Sequence, residues 1–262
     1  MEEPVRNFDL KEQIRAYWSA RAESFDDSPS HRIEDNYGAP EWRAFLRQAI
    51  GLENDQSASG IKVLDLACGT GEISRMLCDL EADVIGLDFS EEMLSRARVK
   101  LAGKSWSPLL SDAENLEAIE DGSIDFAVTR HLAWTLTNPA KAFAEWFRIL
   151  SPSGRLLIND GNWMRPLSRH FRMKLWLAHL LDPVPPRDAD DATTDTAIRA
   201  RLPYRGGLTE ERLVIDLANA GFRKVATLDP RPLYNQGMRA HTLANRLRQS
   251  SENRFAVVFV KD

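Results

Sequence analysis

One short stretch, residues 63 to 71, combines residue types that can bind a small charged ligand. An apolar run contains Asp65, and two glycines, Gly69 and Gly71, follow it with one residue between them. Glycine has no Cβ and tolerates backbone angles closed to other residues, so a glycine loop lets the backbone approach a ligand. An acidic loop attracts cationic groups and repels an anionic pyrophosphate. The stretch therefore predicts a site for a small molecule that carries positive charge.

Further chemically capable residues lie where later strands are predicted to end. Asp88 ends the second strand about twenty residues after the glycines, Asp112 follows the third strand, and Arg130 and His131 leave the fourth. Open α/β sheets bind ligands beyond the carboxyl ends of their strands. We therefore expect these side chains to share one edge of the sheet with the glycine loop.

Short β-branched runs alternate with amphipathic helical stretches through the middle of the chain, which predicts a doubly wound, mostly parallel α/β sheet. Ser90 is a plausible N-cap for one of the helices. The turn from Ser151 to Gly154 is expected to stop a helix at Leu150 and to start the fifth strand. The seven strands are predicted at Ile61–Ala67, Asp83–Leu87, Pro108–Ser111, Ile124–Thr129, Arg155–Asn159, Lys224–Leu228 and Phe255–Val260, with helices from Glu72, Glu91, Pro139 and Thr209.

Two regions fall outside this alternation and divide the chain into a core and two additions. Residues 1–50 form a predicted N-terminal helical cap segment. Residues 163–207 form a predicted helical insertion, with a helix from His170 to Leu181 and a stiff stretch from Pro183 to Pro186. Residues 51–162 and 208–262 remain as the core. We expect the two additions, which carry Trp18, Trp163 and Trp176, to close over the carboxyl ends of the strands as an acceptor cap.

Residues 60–160 resemble the class I S-adenosylmethionine-dependent methyltransferases. The resemblance rests on Asp-x-x-x-Gly-x-Gly at residues 65–71, on the segments 88–94, 111–116 and 123–132, and on the helix-to-strand turn 148–154. It is closest to the small-molecule group that includes ubiquinone and menaquinone biosynthesis methyltransferases. It implies a Rossmann-like methyltransferase fold and S-adenosyl-L-methionine as the cofactor.

The resemblance also implies roles for individual residues. Asp65 would hold the cofactor ammonium group, Asp88 the two ribose hydroxyls, and Asp112 the adenine amino group, while Phe89 would line the adenine. Tyr17 lies on a helix that covers the cofactor in many family members. The complete set of expected cofactor-binding residues is Asp65, Ala67, Cys68, Gly69, Gly71, Asp88, Phe89, Met93, Asp112, Ala113, Glu114, Arg130 and Tyr17.

Methyl transfer is an in-line displacement, so a protein can promote it mainly by holding donor and acceptor in position. A base is needed only when the O, N or C nucleophile carries a proton. His131 is the candidate base because the pKa of histidine lies near neutrality. The alternative is that His131 only packs beside the cofactor or hydrogen-bonds to backbone.

The main rival function is that of an NAD(P)-dependent oxidoreductase, which also opens its fold with a glycine loop. The third glycine of that fingerprint is expected at position 74, where this chain has Ser74, and Asp65 would repel the pyrophosphate. A protein that binds S-adenosylmethionine without catalysis is the second rival.

The overall composition limits the classes of binding partner and the cellular location that we expect. A net charge of -5 argues against nucleic acid and anionic membranes, and no signal sequence or membrane span is recognisable, which predicts a cytoplasmic protein. The two cysteines are not clustered with histidines, so we expect no metal site. We expect a small-molecule acceptor and a monomer or homodimer.

Overall fold

The computed structural model describes residues 7–53, 55–183, 189–250 and 253–262. Within these residues one sheet has seven strands. Their bounds are β1 (Lys62–Leu66), β2 (Asp83–Asp88), β3 (Trp106–Leu110), β4 (Ile124–Arg130), β5 (Leu150–Gly161), β6 (Phe222–Leu228) and β7 (Arg254–Lys261).

Helices flank the sheet on both faces. Those of the described residues are α1 (Asn7–Ser19), α2 (Ala39–Ile50), α3 (Glu72–Cys78), α4 (Glu91–Lys100), α5 (Pro139–Ile149), α6 (Arg169–Leu181), α7 (Ala189–Arg201), α8 (Glu210–Asn219), α9 (Arg231–Asn235) and α10 (Leu243–Gln249).

The order of strands across the sheet is β3-β2-β1-β4-β5-β7-β6. The pairs formed among strands β1 to β5 are all parallel. Strand β7 is antiparallel to both of its neighbours, β5 and β6. In this register Asp65 lies beside Gly86 on one side and Val128 on the other. The strand order reverses between β1 and β4, and the carboxyl ends of β1, β2 and β4 therefore frame a ligand crevice.

Each face of the sheet has its own apolar core. Leu64 and Leu66 project to one face and pack with Phe143 and Trp146 of α5. Val63 projects to the other face, where it packs among side chains of α2 and α3. This alternation along one strand follows from the two-residue repeat of β structure. The two cores hold β1 rigidly, and with it the loop that leaves its carboxyl end.

The predicted order and type of the core elements agree with the structure, and the fold is the expected Rossmann-like one. The turn predicted at Ser151–Gly154 is wrong as a strand boundary. Strand β5 already begins at Leu150, which pairs with Ile124, and the register then shifts. Ser153 adopts a φ of 64°, so the strand absorbs the irregularity as a bulge instead of ending.

The two additions contain more helix than expected. Helix α6 matches the prediction for residues 170–181, but α7 of the insertion was not predicted. In the core, the short helices α9 and α10 were not predicted either. Residues 184–186 of the stiff stretch and residues 1–6 of the cap segment lie outside the described residues.

Gly86 is a position in the sheet where the fold depends on the absence of a side chain. A Cβ there would lie 2.3 Å from Nε1 of Trp106 on the adjacent strand. We expect Gly86→Ala to reduce the free energy of unfolding by about 1–3 kcal/mol, because the strand pair must shift to relieve the overlap. Urea denaturation followed by tryptophan fluorescence measures this change.

The matched control is Gly206→Ala, because a Cβ at Gly206 would meet no atom within 4 Å and its φ is not left-handed. We expect the control to change the free energy of unfolding by less than about 0.5 kcal/mol. Equal effects of the two substitutions would contradict the packing argument.

Candidate active site

A cavity of about 470 Å³ lies at the carboxyl ends of β1, β2 and β4. On the β1–β2 side it is lined by the glycine loop and the start of α4, including Asp65, Gly69, Asp88 and Met93. On the β4–β5 side it is lined by Arg130, His131 and Trp163, together with Arg199 from α7. Most of the residues predicted to bind a cofactor are thus brought together on one wall.

The two glycines of the loop have different roles. Both have left-handed φ values, 55° at Gly69 and 86° at Gly71. A Cβ on Gly71 would lie 2.9 Å from Cδ1 of Leu101, so this glycine allows the loop to pack against α4 and does not line the cavity. A Cβ on Gly69 would meet only the ring of Phe25, at 3.8 Å. Gly69 is therefore the glycine that leaves backbone accessible to a ligand.

Asp88 connects the glycine loop with the start of α4. Its carboxylate accepts hydrogen bonds from the backbone N–H of Gly69 and of Ser90, both at 2.9 Å. Burial raises the pKa of Asp88 to about 6, and these two hydrogen bonds oppose the rise. A carboxylate has about four acceptor positions, so Asp88 keeps some for ribose hydroxyls.

Asp65 is buried at the end of β1 and accepts a hydrogen bond from the hydroxyl of Ser74 at 2.7 Å. Burial raises its pKa to about 7, and the nearby charge of Arg130 lowers it slightly. Ser74 occupies the position at which a dinucleotide fingerprint has its third glycine. The serine here orients an acidic side chain, which suits a cationic ligand group better than a pyrophosphate.

A smaller cavity of about 40 Å³ adjoins Phe89, Asp112, Ala113 and Glu114. It lies beside the predicted adenine position and is closed from above by α1. Lys11 of α1 approaches Asp112 to 2.5 Å and Glu114 to 2.7 Å.

The Glu114 carboxylate is already engaged, because it also accepts hydrogen bonds from the backbone N–H of Thr137 and Asn138. Glu114 therefore lines the small cavity while it fixes the chain after β4. The more exposed Asp112 is the carboxylate better able to bind an adenine amino group.

His131 leaves β4 with a left-handed φ of 65° and stacks on Trp163, with 5.1 Å between ring centroids. Burial, together with the charges of Arg130 and Arg254, holds the pKa of His131 well below its ordinary value. Its imidazole is therefore neutral at pH 7 and a much weaker base than expected for a histidine of ordinary pKa. The expectation of a near-neutral pKa is wrong, although the position beside the cavity agrees with the prediction.

Arg130 crosses from β4 to the N-terminal segment. Its guanidinium donates to the backbone carbonyls of Ser30 and His31 and lies 4.8 Å from the ring of Trp42. Arg130 lines the large cavity, as expected, but it also ties the cap segment to the sheet.

Tyr17 does not line either of these cavities. Its ring contacts Trp18 and lies 3.4 Å from the guanidinium carbon of Arg21. The cavity side of α1 is instead formed by Ile14 and Trp18, which share one helical face. The sequence-based prediction of a cavity contact from α1 named the correct helix, but Tyr17 lies on a face of α1 that does not line the cavity.

Several functional positions were missed at the sequence level. Lys11 and His31 reach the cavities from the N-terminal segment, and Asp160 accepts a hydrogen bond from the indole N–H of Trp163. No motif marks these residues: Lys11 meets Asp112 only in the folded chain, and the short spacing of Asp160 and Trp163 matches no known site pattern. Trp176, expected to help form the acceptor pocket, is 62% exposed and lies outside the cavity lining.

The N-terminal segment is fastened over the glycine loop by polar contacts. The hydroxyl of Thr70 donates to Asp26 at 2.6 Å, and Lys100 contacts Asp26 at 2.8 Å. The Ser19 hydroxyl lies 2.8 Å from that of Ser90. The segment therefore forms a wall of the cavity in this structure.

Comparison with known proteins agrees with this geometry. Residues 64–158 match the family model described as "Methyltransferase domain". The chain is 31% identical over 173 residues to a demethylmenaquinone methyltransferase of Thermus thermophilus, an alignment that covers 64% of this chain and 66% of that protein. The chain spans about half the length of the curated relatives it matches, between 34% and 66%.

Solved structures share the fold at low sequence identity. An S-adenosylmethionine-dependent methyltransferase from Mesorhizobium loti superimposes with a TM-score of 0.58 and 22% identity, covering 85% of this chain and 98% of that one. The [4+2]-cyclase SpnF superimposes with a TM-score of 0.61 and 15% identity, covering 95% of this chain and 96% of that one. At these identities the similarity shows the fold alone.

The strand order, the glycine loop and the acidic residues behind it have the Rossmann-like methyltransferase fold. The match of residues 64–158 to the methyltransferase-domain model and the similarity to demethylmenaquinone methyltransferases agree with the class I family that the sequence resembles, whose cofactor is S-adenosylmethionine. The residues present fit this cofactor, because Gly69 leaves its backbone open and Asp88 has acceptor capacity to spare.

The described part of the chain contains no group of three or more His, Cys, Asp or Glu side chains placed to hold a metal ion. None of its helices is long and apolar enough to cross a membrane.

Asp88 is expected to matter for both cofactor binding and loop structure. We expect Asp88→Ala to weaken S-adenosylhomocysteine binding by about 2–4 kcal/mol, because hydrogen bonds to the ribose hydroxyls are lost. The same change leaves the N–H groups of Gly69 and Ser90 without acceptors, so stability should also fall, by about 1–3 kcal/mol. Calorimetric titration and urea denaturation measure the two effects.

Asp88→Asn is the control, since the amide oxygen can still accept from one of the two N–H groups. It should retain more stability than Asp88→Ala while still losing affinity. Unchanged affinity in both variants would remove Asp88 from the cofactor site.

The raised pKa of Asp65 predicts pH-dependent cofactor binding. With a pKa of about 7 the free carboxyl is mostly protonated at pH 6 and mostly ionised at pH 8. A cofactor ammonium group pairs with the ionised form, so binding releases a proton and affinity rises between pH 6 and pH 8. Calorimetry in two buffers of different ionisation enthalpy measures the proton release directly.

Asp65→Asn should abolish the part of the proton release that belongs to Asp65 and leave the part that belongs to Asp88. In the free protein, the effect of Asp65 on stability has the opposite pH dependence to its effect on cofactor affinity. A pKa raised from 3.8 to about 7 gives stability at low pH that is lost as the pH rises from about 4 to 7. Affinity that is independent of pH would show that Asp65 does not meet a cationic group.

Proposed function

We propose that this protein transfers a methyl group from S-adenosylmethionine to a small-molecule acceptor. The observation that carries the proposal is a single cavity with two different walls. One wall has the glycine loop, Asp65 and Asp88, and the other has His131, Trp163 and Arg199. The first wall suits the cofactor, and the second bounds the remaining space for an acceptor.

The chain's own residues would fix the cofactor along β1 and β2. Asp65 is placed for the ammonium group, Gly69 for backbone contact, Asp88 for the ribose, and Phe89 and Asp112 for the adenine. When bound, the cofactor supplies an electrophilic methyl group on a sulfonium. The protein then has to orient the acceptor and exclude water.

The acceptor would occupy the part of the cavity bounded by the two additions. Trp18 and His31 belong to the N-terminal segment, and Trp163 and Arg199 belong to the insertion. Arg199 is held over the ring of Trp134 at 4.4 Å and paired with Asp195. An aromatic pocket with a few polar groups is typical of a small-molecule site. This supports the division into a core, an N-terminal cap segment and an acceptor cap.

His131 is proposed as a residue that positions the acceptor and, for a nucleophile with an acidic proton, as its base. Its neutral imidazole can accept a proton, but a strongly lowered pKa limits the driving force. A cytoplasmic location, the absence of nucleic-acid partners and a monomeric or homodimeric state stay predictions.

The [4+2]-cyclase SpnF has a similar fold, so the fold alone does not determine the reaction. The nicotinamide alternative is not favoured, because Ser74 and buried Asp65 replace the features that accommodate a pyrophosphate. A binding test therefore comes before an activity test.

We expect S-adenosylmethionine and S-adenosylhomocysteine to raise the melting temperature of the protein, and NADH to leave it unchanged. A ligand that binds only the folded state stabilises it by mass action. Gly69→Val should abolish this shift, because its side chain would project from a left-handed backbone position into the cavity. Differential scanning fluorimetry with each compound makes the measurement.

Gly103→Val is the matched control. Gly103 also has a left-handed φ, 78°, but a Cβ there would meet no atom within 4 Å, and Gly103 does not line the cavity. The control should suffer a similar backbone strain and keep the ligand-induced shift. A shift that survives in Gly69→Val, or one produced by NADH, would contradict the proposed cofactor site.

Methyl transfer itself is then tested with S-adenosylmethionine radiolabelled on its methyl group and a collection of small acceptors. Formation of a labelled product supports the proposal. Cofactor binding with no transfer to any acceptor would favour the non-catalytic alternative.

A further inference from the structure

Four unpartnered polar atoms converge at the carboxyl end of β4 and β5. Six buried side-chain nitrogen or oxygen atoms of the described residues have no hydrogen-bond partner. Four of the six are Nε of Arg130, Nδ2 of Asn159, the hydroxyl of Tyr234 and Nε of Arg254. We call these four residues the arginine cluster. A buried polar atom without a partner is destabilising, so four in one place require an explanation.

The sheet register brings the four side chains together. Arg130 on β4 lies beside Asn159 on β5, and Asn159 lies beside Ala256 near the start of β7, which begins at Arg254. The guanidinium carbon of Arg254 lies 3.8 Å from the centre of the Tyr234 ring. The Tyr234 hydroxyl lies beside both arginines and Asn159. The charges of the arginines, and the polar hydrogens that Arg130 and Asn159 direct toward the hydroxyl, lower its pKa although burial alone would raise it.

The two arginines bring positive charge that no ion pair offsets. Within the described chain neither guanidinium has a carboxylate oxygen within 4.0 Å. Their planes stack on aromatic rings instead, Arg130 on Trp42 and Arg254 on Tyr234 and Trp163. Such stacking fixes a guanidinium plane and leaves N–H groups at its edge.

The nearest acidic groups compensate this charge only in part. Asp65 and Asp160 are buried, and burial raises the pKa of each to about 7. At neutral pH each therefore carries only part of a negative charge. The two partly buried guanidinium groups thus leave a local positive balance that suits one additional negative charge.

The arginine cluster adjoins the proposed acceptor space. Arg130 and His131 line the large cavity, and Nη1 of Arg254 lies 3.4 Å from Nε2 of His131. Tyr234 and Arg254 also line a neighbouring cavity of about 620 Å³. A ligand group bound among these side chains would have Arg130, which lines the large cavity, on one side and Arg254, which lines the neighbouring cavity, on the other.

We propose that the methyl acceptor is an organic anion, and that its carboxylate binds to Arg130 and Arg254 with Asn159 and Tyr234 as further partners. The proposal deepens the proposed function and rests on it. Planar guanidinium groups match the geometry of a carboxylate. The terminal nitrogens of both arginines already donate to protein atoms, so the free Nε donors are the ones that become satisfied.

The cofactor also carries a carboxylate, and position separates the two sources. The glycine loop follows β1, whereas Arg254 lies on β7, three strands further across the sheet. At about 4.8 Å between neighbouring strands, this is a separation of about 14 Å. The methionine end of the cofactor is expected beside Gly69 and Asp65. Arg130 lies only one strand from that end, so the separation assigns Arg254, three strands away, to the acceptor.

The test uses benzoate as an anionic probe, because aromatic side chains line the cavity, and benzamide as its uncharged analogue. Binding of each is measured by ligand-observed NMR at pH 8 with the full-length protein saturated with S-adenosylhomocysteine. We expect benzoate to bind at least tenfold more tightly than benzamide. Arg254→Gln should weaken benzoate binding at least tenfold and leave benzamide unchanged.

Arg172→Gln is the matched control, because it removes an equal charge from an exposed position on α6. It should leave benzoate binding unchanged. Arg254→Lys keeps the charge but loses the planar fork and Nε, and we expect it to bind benzoate with intermediate affinity. If Arg254→Gln lacks a cooperative unfolding transition, Arg254→Lys decides the outcome.

Three results would overturn the proposal. One is equal binding of benzoate and benzamide, and another is benzoate binding that neither Arg254 variant weakens. The third is a loss of S-adenosylhomocysteine affinity in a folded Arg254 variant, which would assign the arginine cluster to the cofactor carboxylate. Arginine-dependent benzoate binding to a protein that binds no S-adenosylhomocysteine would retain the anion site and reject the proposed function, so the two failures are distinguishable.

Discussion

The buried carboxylate of Asp88 joins three parts of the chain that would otherwise be independent. It ends β2, accepts the N–H of Gly69 in the loop after β1, and accepts the N–H of Ser90 at the N-cap of α4. The left-handed backbone of Gly69 is therefore held from outside the loop. Because Asp88 also faces the cavity, the group that shapes the loop is the one available to a ribose. A substitution of Asp88 therefore changes both ribose binding and the structure of the glycine loop. Asp88→Asn is more informative than Asp88→Ala because it keeps one acceptor for the loop.

The cost of burying ionised acidic side chains links the binding site to the stability of the free protein. Asp65, Asp88 and Asp160 all have raised pKa values because burial disfavours their ionised forms. Their ionised forms are the useful ones for a cationic ligand, so the free protein is destabilised by the groups that a ligand would satisfy. The histidines show the opposite effect, since burial and neighbouring arginines lower the pKa of His31 to about 4 and hold that of His131 well below its ordinary value. The cavity thus has two acids that resist ionisation, Asp65 and Asp88, on the β1–β2 side and arginines on the β4–β5 side, where Asp160 lies outside the cavity lining.

The order of the core elements and one wall of the site could be predicted from the sequence because their signals are local. Asp65, Gly69, Gly71 and Asp88 lie on consecutive elements, and the β-α alternation places them at one edge of the sheet. The faces of helices and the contacts between distant segments could not be predicted. Ile14 and Trp18, rather than Tyr17, face the cavity because α1 is oriented by packing against α7, which has no sequence signal of its own. The strand that replaces the expected turn at residues 151–154 likewise depends on tertiary pairing, since Ile124 holds Leu150 in the sheet.

The same limit explains why Lys11 and Arg254 were missed. Lys11 meets Asp112 across 101 residues, and Arg254 meets His131 across 123, so only the folded chain brings either pair together. These distant contacts also change the interpretation of His131. A histidine beside Arg130 and Arg254 is poorly suited to remove a proton, because a positive environment opposes protonation of the imidazole. The same environment stabilises an anion. A site built in this way favours an acceptor that is negatively charged before it binds. The arginines of the site would also lower the pKa of an acidic nucleophile on the acceptor, which reduces the need for a strong base. Burial is the main cause of the lowered pKa of His131, and the positive charge at the ends of β4, β5 and β7 lowers it further. The same positive charge surrounds the four unpartnered atoms.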